Sequence, residues 1–180
     1  DRFVRKSQGE LELLAALLHG GTNSFDAGLH DIGNPHGRLA QFETAAADAP
    51  DVDMVFVCGG VNVREAVSPA LVNVLRRLAA RRMPLGALCT GGYALAQAGL
   101  LDGYHATIHW ENLSALREQF PRVLMSDHLF TIDRNRYTCS GGIAPLDLML
   151  NLIKDDLGRD IAPLISEQFI LDRIRNDRDR

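Results

Sequence analysis

"GALCTGGYALAQAGLLDG", residues 86–103, sets a single cysteine, Cys89, between the end of an apolar run and a stretch of small residues. The run 85–88 is short and uncharged, as expected of a strand buried on both faces of a parallel sheet, and 91–101 reads as a helix. Upstream, "DMVFVC", residues 53–58, is a second apolar run, stopped by Gly59 and Gly60. Between the two runs Ser68 caps a helix and Pro69 occupies its first turn. Leu71, Leu75, Leu78 and Ala79 supply its apolar stripe. The arginines of "RRLAARR" fall at its C-terminal end, where cations oppose the negative pole of the dipole, so a solvated helix end accounts for them without a nucleic-acid groove. Strand, helix, strand, helix in this order predicts a three-layer α/β domain with right-handed crossovers.

Downstream, residues 106–109 read as a further short strand. Residues 111–120 read as a helix stopped before Pro121, with Leu113, Leu116 and Phe120 inward. "LFTIDRNRYTCSGG" predicts two strands around a turn at Asn135. A helix over 144–157 carries Asp147, Asn151 and Lys154, with Gly158 beyond it, as a narrow polar stripe. Such a stripe implies burial on more than one side, under neighbouring elements or at a subunit contact around 146–153. The N-terminal fifty residues are less regular: "ELELLAALLH", residues 10–19, reads as a helix, and "GGTNSFDAGLHDIGNPHG" is rich in turn and cap residues. No strand is evident before that helix, although a domain of this type needs one; the chain is therefore expected to lack residues at its start or to join across a gap.

With 180 residues, 46% of them hydrophobic, the chain can bury one sizeable core. Its formal charge of -4 gives no general attraction for nucleic acid or an anionic membrane. The apolar runs are too short or interrupted to cross a bilayer, so a cytoplasmic protein without a membrane partner is expected. Three widely spaced cysteines, Cys58, Cys89 and Cys139, suit reduced thiols and lack the paired spacing of a zinc site. There is neither Gly-x-Gly-x-x-Gly nor a P-loop, and no cofactor or metal is implied.

"ALCTG", residues 87–91, resembles a strand-to-helix nucleophile elbow with alanine in the first glycine position. Backbone donors at the start of the following helix are expected near Cys89, where they would stabilise a thiolate. The same position also suits a pocket wall or an inert packed thiol, and the three readings stand side by side. His109, just beyond the strand over 106–109, is the candidate partner. His19, His30, His36, His105 and His128 fall in surface or turn contexts. Trp110 supports the loop, lines the pocket or simply packs. Gly59, Gly60, Ser140 and Gly141 lie at strand ends, where an open parallel sheet gathers its ligands. Glycines there let a backbone approach a ligand, and turn geometry explains them equally well.

Taken together, "CGG" after a strand, "GALCTGGYALAQAGLLDGYHATIHWENLSALREQFPRV" and "YTCSGGIAPLDLMLNLI" resemble the ThiJ/PfpI-like, class I amidotransferase-type domain at the N-terminus of AraC-family transcription regulators. The resemblance covers about residues 51–175. It implies a three-layer α/β/α sandwich with a mostly parallel sheet, flavodoxin-like or class I amidotransferase-like. The family's elbow cysteine corresponds to Cys89, its next residue to Thr90, its histidine to His109 and the neighbouring tryptophan to Trp110. Many enzymes of the superfamily carry histidine where this chain has Thr90. True class I amidotransferases also use a downstream His-x-Glu pair, which has no counterpart near this C-terminus, and the acidic partner of the cysteine has no secure match at Glu10 or Glu12.

The resemblance therefore implies a non-enzymatic sensor over residues 1–165, with Cys89, Thr90, His109, Trp110, Gly59, Gly60, Ser140 and Gly141 lining a ligand site. Residues 166–180 form a helix or linker toward a helix-turn-helix domain beyond Arg180. The implied partners are a small-molecule effector, amino-acid-like or a quaternary amine such as arginine, carnitine or glycine betaine; promoter DNA through that further domain; and a second copy in a homodimer. The alternative is a cysteine-dependent hydrolase or aldehyde-processing enzyme, and a chaperone-like oligomer is a third reading.

Overall fold

The computed structural model describes residues 13–17, 53–60, 62–157 and 160–179. An inner strand of its main sheet is β2, Met54–Cys58, whose alternate side chains serve two cores. Val55 and Val57 enter one apolar cluster, Met54 and Phe56 the other. That division follows from the period-two geometry of a strand with both faces covered. β3, Leu85–Leu88, pairs with β2 in parallel and sends Leu85 and Ala87 into the first cluster. The sheet runs β1 (Leu13–Leu17), β2, β3, β7 (Arg136–Cys139), β6 (Phe130–Asp133), with only the β6 to β7 pair antiparallel.

The first core is roofed by α2 (Pro69–Ala80), α3 (Gly92–Gln97) and α4 (Leu113–Gln119). A short α1, Val63–Ala66, precedes them. The second core lies under α5, Ala144–Leu157, which is followed by α6, Ile161–Gln168. Helices thus cover both faces of a mostly parallel sheet, the three-layer α/β/α arrangement expected from the strand and helix order. The start of α2 matches its sequence: the Ser68 hydroxyl accepts from the Leu71 amide at 3.1 Å and Pro69 stands at the first helical position. Leu71, Val74, Leu75 and Leu78 are buried, while Arg81 and Arg82 lie exposed beyond the last turn. The hairpin around Asn135 and the bounds of α5 also agree with expectation.

Three expectations are corrected. Residues 13–17, read as part of a helix over 10–19, form β1, paired in parallel with all five residues of β2. An uninterrupted Leu and Ala run satisfies helical and buried-strand patterns alike, and the open edge of β2 decides between them. The strand missing from the sequence reading is therefore present. Second, the strand expected over 106–109 is β4, His105–Ala106, paired with β5, Leu124–Met125, in a separate two-stranded ladder. It stops there because the Thr107 amide donates to the Thr138 hydroxyl at 2.9 Å instead of to a strand. Third, the helix expected over 91–101 begins with a 3-10 turn at Cys89–Gly91, continues as α3 and yields to turns after Gln97; Gly99 has φ 73°. The stretch "GGTNSFDAGLHDIGNPHG" lies outside the described residues.

The polar stripe of α5 has its partner within the chain. Asp147, 2% exposed, takes two bonds from the Arg175 guanidinium, at 2.9 and 2.6 Å, and one from its amide at 3.0 Å. Asn151 donates to the Arg175 carbonyl at 3.1 Å. Leu148 and Leu150, in the stretch offered as a subunit contact, are fully buried by the chain itself.

Gly86 stands opposite Phe56 in the β2 to β3 register, and a Cβ there would overlap the Phe56 ring. Gly86→Ala is expected to destabilise the fold by roughly 1–3 kcal/mol through overpacking. Urea denaturation checks this as a lower midpoint at unchanged slope.

Candidate functional site

Parallel pairing brings the carboxyl ends of β2, β3 and β7 to one edge of the sheet, so Cys58, Cys89 and Cys139 gather there although they are far apart in sequence. Cys89 sits at the sharp turn out of β3 with φ 57°, a left-handed conformation that costs a non-glycine residue of order 1–3 kcal/mol. Close packing holds it. Gly91 lies so near the Val57 carbonyl, and Gly59 so near the Gly91 amide and Thr90, that a Cβ on either glycine would overlap backbone. The Thr90 hydroxyl donates to the Gly60 carbonyl at 2.7 Å, and the Gly59 amide donates to the Leu88 carbonyl at 3.1 Å. Gly59, Gly60 and Thr90 therefore act as a buttress for the elbow.

His109 is brought to the same edge. Its amide donates to the Cys89 carbonyl at 3.4 Å, and its ring lies against Gly141, leaving no room for a Cβ at that glycine. The His109 Nδ1 is buried without a hydrogen-bond partner among the described residues, and Glu111 Oε2 lies 3.7 Å from it. The Trp110 ring stands 5.6 Å from the His109 ring, tilted by 32°, and is 70% exposed. The buried packing that a lone tryptophan ordinarily provides is thus not its role here. Ser140 is half-buried, and its amide donates to the Leu129 carbonyl at 2.8 Å. The eight residues named from the sequence thus fall at or beneath this edge of the sheet, with Trp110 exposed. His105 is exposed in β4, and His128 is half-buried beside Asp177. His19, His30, His36, Glu10 and Glu12 lie outside the described residues.

The electrostatics disfavour the thiolate that the nucleophile reading of Cys89 requires. Burial pushes the Cys89 thiol above its ordinary value, and the bond from the Thr90 backbone offsets this only in part. The helix that follows is only six residues long and is entered through a 3-10 turn, so the aligned dipoles behind the thiol are few. Burial pushes Cys58 up to about 11 and Cys139 to about 12; in Cys139 a bond with the Cys89 backbone opposes burial, while Cys89 and Cys58 add to the rise. The rim therefore presents protonated, weakly polar thiols, backbone groups, an imidazole and an exposed indole. Such groups are of the kind that orient a small molecule, and the raised thiol disfavours the thiolate form.

Glu111 is the neighbour that the sequence reading passed over. Its place two residues after His109 was the available signal, and in the structure its Oε2 lies 3.7 Å from the His109 Nδ1. Gly141, read as a glycine open to a ligand or required by a turn, lies against the His109 ring.

An α/β sandwich with a cysteine in a left-handed strand-to-helix turn defines a flavodoxin-like cysteine-elbow domain. The chain belongs to the DJ-1/PfpI family, whose profile matches residues 34–155. It is 54% identical over 132 residues to the HTH-type transcriptional regulator GbdR of Pseudomonas aeruginosa, covering 73% of this chain and 36% of that regulator. It is 31% identical to isonitrile hydratase of Pseudomonas putida, over 70% of this chain and 55% of that enzyme. A crystal structure of an AraC family transcriptional regulator from Pseudomonas putida matches with a TM-score of 0.62 and 32% identity, covering 69% of this chain and 66% of that one. The chain thus spans little more than a third of the regulator GbdR.

The raised Cys89 thiol sets the direction of its reactivity. Below its own pKa a thiol alkylates in proportion to its thiolate fraction. Iodoacetamide labelling of Cys89, followed by peptide mass spectrometry across pH, is expected to reach half its limiting rate above pH 9.0, the ordinary value. At pH 7 labelling is then slower than that of an unperturbed thiol.

Proposed function

We propose that this chain is the effector-sensing domain of an AraC-type transcription regulator, with no catalytic step at Cys89. The observation that carries the reading is the 54% identity to GbdR across most of this chain, confined to about a third of that regulator's length. Such a division leaves DNA reading to a separate domain, in keeping with the net charge of -4 here. In this reading the ligand is a small amino-acid-like or quaternary-amine metabolite. It sits on the rim of Cys89, His109, Trp110, Ser140 and Gly141, with Thr90, Gly59 and Gly60 holding the elbow beneath it. The exposed indole offers a π face to a cation, and Glu111 offers a carboxylate beside it. Two sensing domains pair in a homodimer in the cytoplasm, and effector occupancy shifts the populations of dimer or domain arrangements. Residues 166–180 lead from the sensor toward the reader. Among the described residues no helix is long and apolar enough to cross a membrane.

Calorimetry with arginine, carnitine and glycine betaine tests the ligand. Cys89→Ser is expected to keep affinity within about threefold, because a neutral pocket wall is replaced by a similar one. His109→Ala is expected to lose about tenfold or more, the equivalent of about 1.4 kcal/mol. The intact protein should bind a specific promoter at a salt concentration where residues 1–180 alone bind DNA much more weakly. Failure of all three compounds to bind would contradict the ligand class, and equal sequence-specific DNA affinity in the short chain would contradict the division of labour.

The second reading, a cysteine-dependent enzyme, is favoured by the left-handed Cys89 and by the likeness to isonitrile hydratase. It predicts turnover of isonitriles, amides or aldehydes that Cys89→Ala abolishes. The raised thiol speaks against it.

A further inference from the structure

The loop over residues 126–129 is gripped from two sides. On the side of the site, the Thr107 hydroxyl donates to the His128 carbonyl at 3.0 Å, and the Ser140 amide donates to the Leu129 carbonyl at 2.8 Å. Thr107 is two residues from His109, and Ser140 adjoins Gly141, the glycine under the His109 ring. Thr107 is itself buried and fixed through Thr138, whose hydroxyl meets that of Thr131 at 2.9 Å. On the opposite side, the Leu129 amide donates to the Asp177 carbonyl at 2.7 Å, and the Asp177 carboxylate lies 3.4 Å from His128 Nδ1.

Asp177 belongs to the segment over residues 171–179, which leaves α6 without regular secondary structure and runs back across the domain as a strap. Its other anchor is the bonded pair of Arg175 and Asp147, with Asn151 on the Arg175 carbonyl. Beyond the Leu171 amide on the Ser166 carbonyl at its start, the segment is held by a few side-chain bonds and one backbone bond, and it opens at a lower cost than the sheet beside it. In the structure the strap is docked on a loop that the site also holds.

We propose that the 126–129 loop is a shared brace through which the Cys89 and His109 site and the docking of the 171–179 strap bias each other. Reorganisation of 107–109 or 140–141 on ligand binding shifts the His128 and Leu129 carbonyls. That shift misaligns the Leu129 amide with Asp177 and changes the docked fraction of the strap. Thermodynamic reciprocity makes the influence equal in the other direction. This inference rests on the sensor reading for its purpose, since residues 166–180 are there the connection to the reader. Thr107, His128 and Asp177 are positioning residues in this scheme and touch no ligand.

Amide hydrogen exchange on the intact protein tests it without an effector, so failure of the brace leaves the sensor reading standing, and a failed ligand leaves the brace standing. Thr107→Val removes the hydroxyl at nearly constant shape. The Leu129 and Arg175 amides are expected to exchange roughly three- to tenfold faster, the change that loss of one hydrogen bond produces. The Val55 amide, bonded to Pro84 in the sheet core, is expected to keep its rate, and Thr107→Ser to restore protection. From the strap side, Asp147→Asn is expected to accelerate the Ser140 amide by a similar factor, and this arm carries the test if Thr107→Val does not fold. Wild-type exchange at Leu129 and Arg175 in Thr107→Val, or at Ser140 in Asp147→Asn, overturns the proposal. So does equal acceleration at Val55, which would mark a general loss of stability.

Discussion

The steric contact between the two backbones at the end of β2 and the start of the elbow is the constraint on which the site depends. Gly59 packs on Gly91 and Thr90, and Gly91 packs under the Val57 carbonyl, at separations that no side chain tolerates. With those backbones in contact, the chain leaving β3 must turn at once, which places Cys89 at φ 57°. The carbonyl of Cys89 then meets the His109 amide, and the His109 ring finds its bed on Gly141. A steric fit among glycines thus sets the positions of Cys89 and His109 on the rim, and the left-handed cysteine is its by-product. Strain at such a residue persists only where surrounding packing over-determines it.

This origin explains why an elbow need not imply a nucleophile. The geometry that projects a side chain from the sheet edge also buries it partly against β2 and β7, and burial disfavours the charged form of a thiol. To win against burial the chain would need a nearby cation or a long helix aimed at the sulfur. It offers one backbone bond from Thr90 and a six-residue helix. The result is a well-positioned neutral group, suited to shape and weak polar recognition. The more distinctive chemistry of the rim comes from the pair of His109 and Glu111 and from the exposed Trp110.

Much of this architecture was legible in the chain itself. β2 and β3 were readable because strands covered on both faces carry no polar residue, and α2 because Ser68 and Pro69 mark its start locally. β1 was not, because Leu and Ala favour a helix in isolation and only the unpaired edge of β2 draws them into the sheet. β4 was misplaced by a side-chain bond, Thr107 to Thr138, that spans 31 residues and leaves no trace in periodicity. At the site, His109 was expected beside Cys89 from a strand returning to the same edge, whereas the structure brings it there from a separate ladder through the bond between the His109 amide and the Cys89 carbonyl. The bed that Gly141 forms for His109, and the partner that Arg175 gives Asp147, depend on tertiary approach and carry no local signature.

The account turns on whether a small molecule rests against Cys89 without bonding to it. A crystal structure of the domain soaked with glycine betaine, a quaternary amine, addresses this directly. The account predicts density for the amine beside Trp110 and His109, separated from the Cys89 sulfur by an ordinary van der Waals gap of roughly 3.5–4 Å, with Gly59 and Gly91 still in contact below. Density continuous with the sulfur, or an amine bound away from this rim, would contradict it.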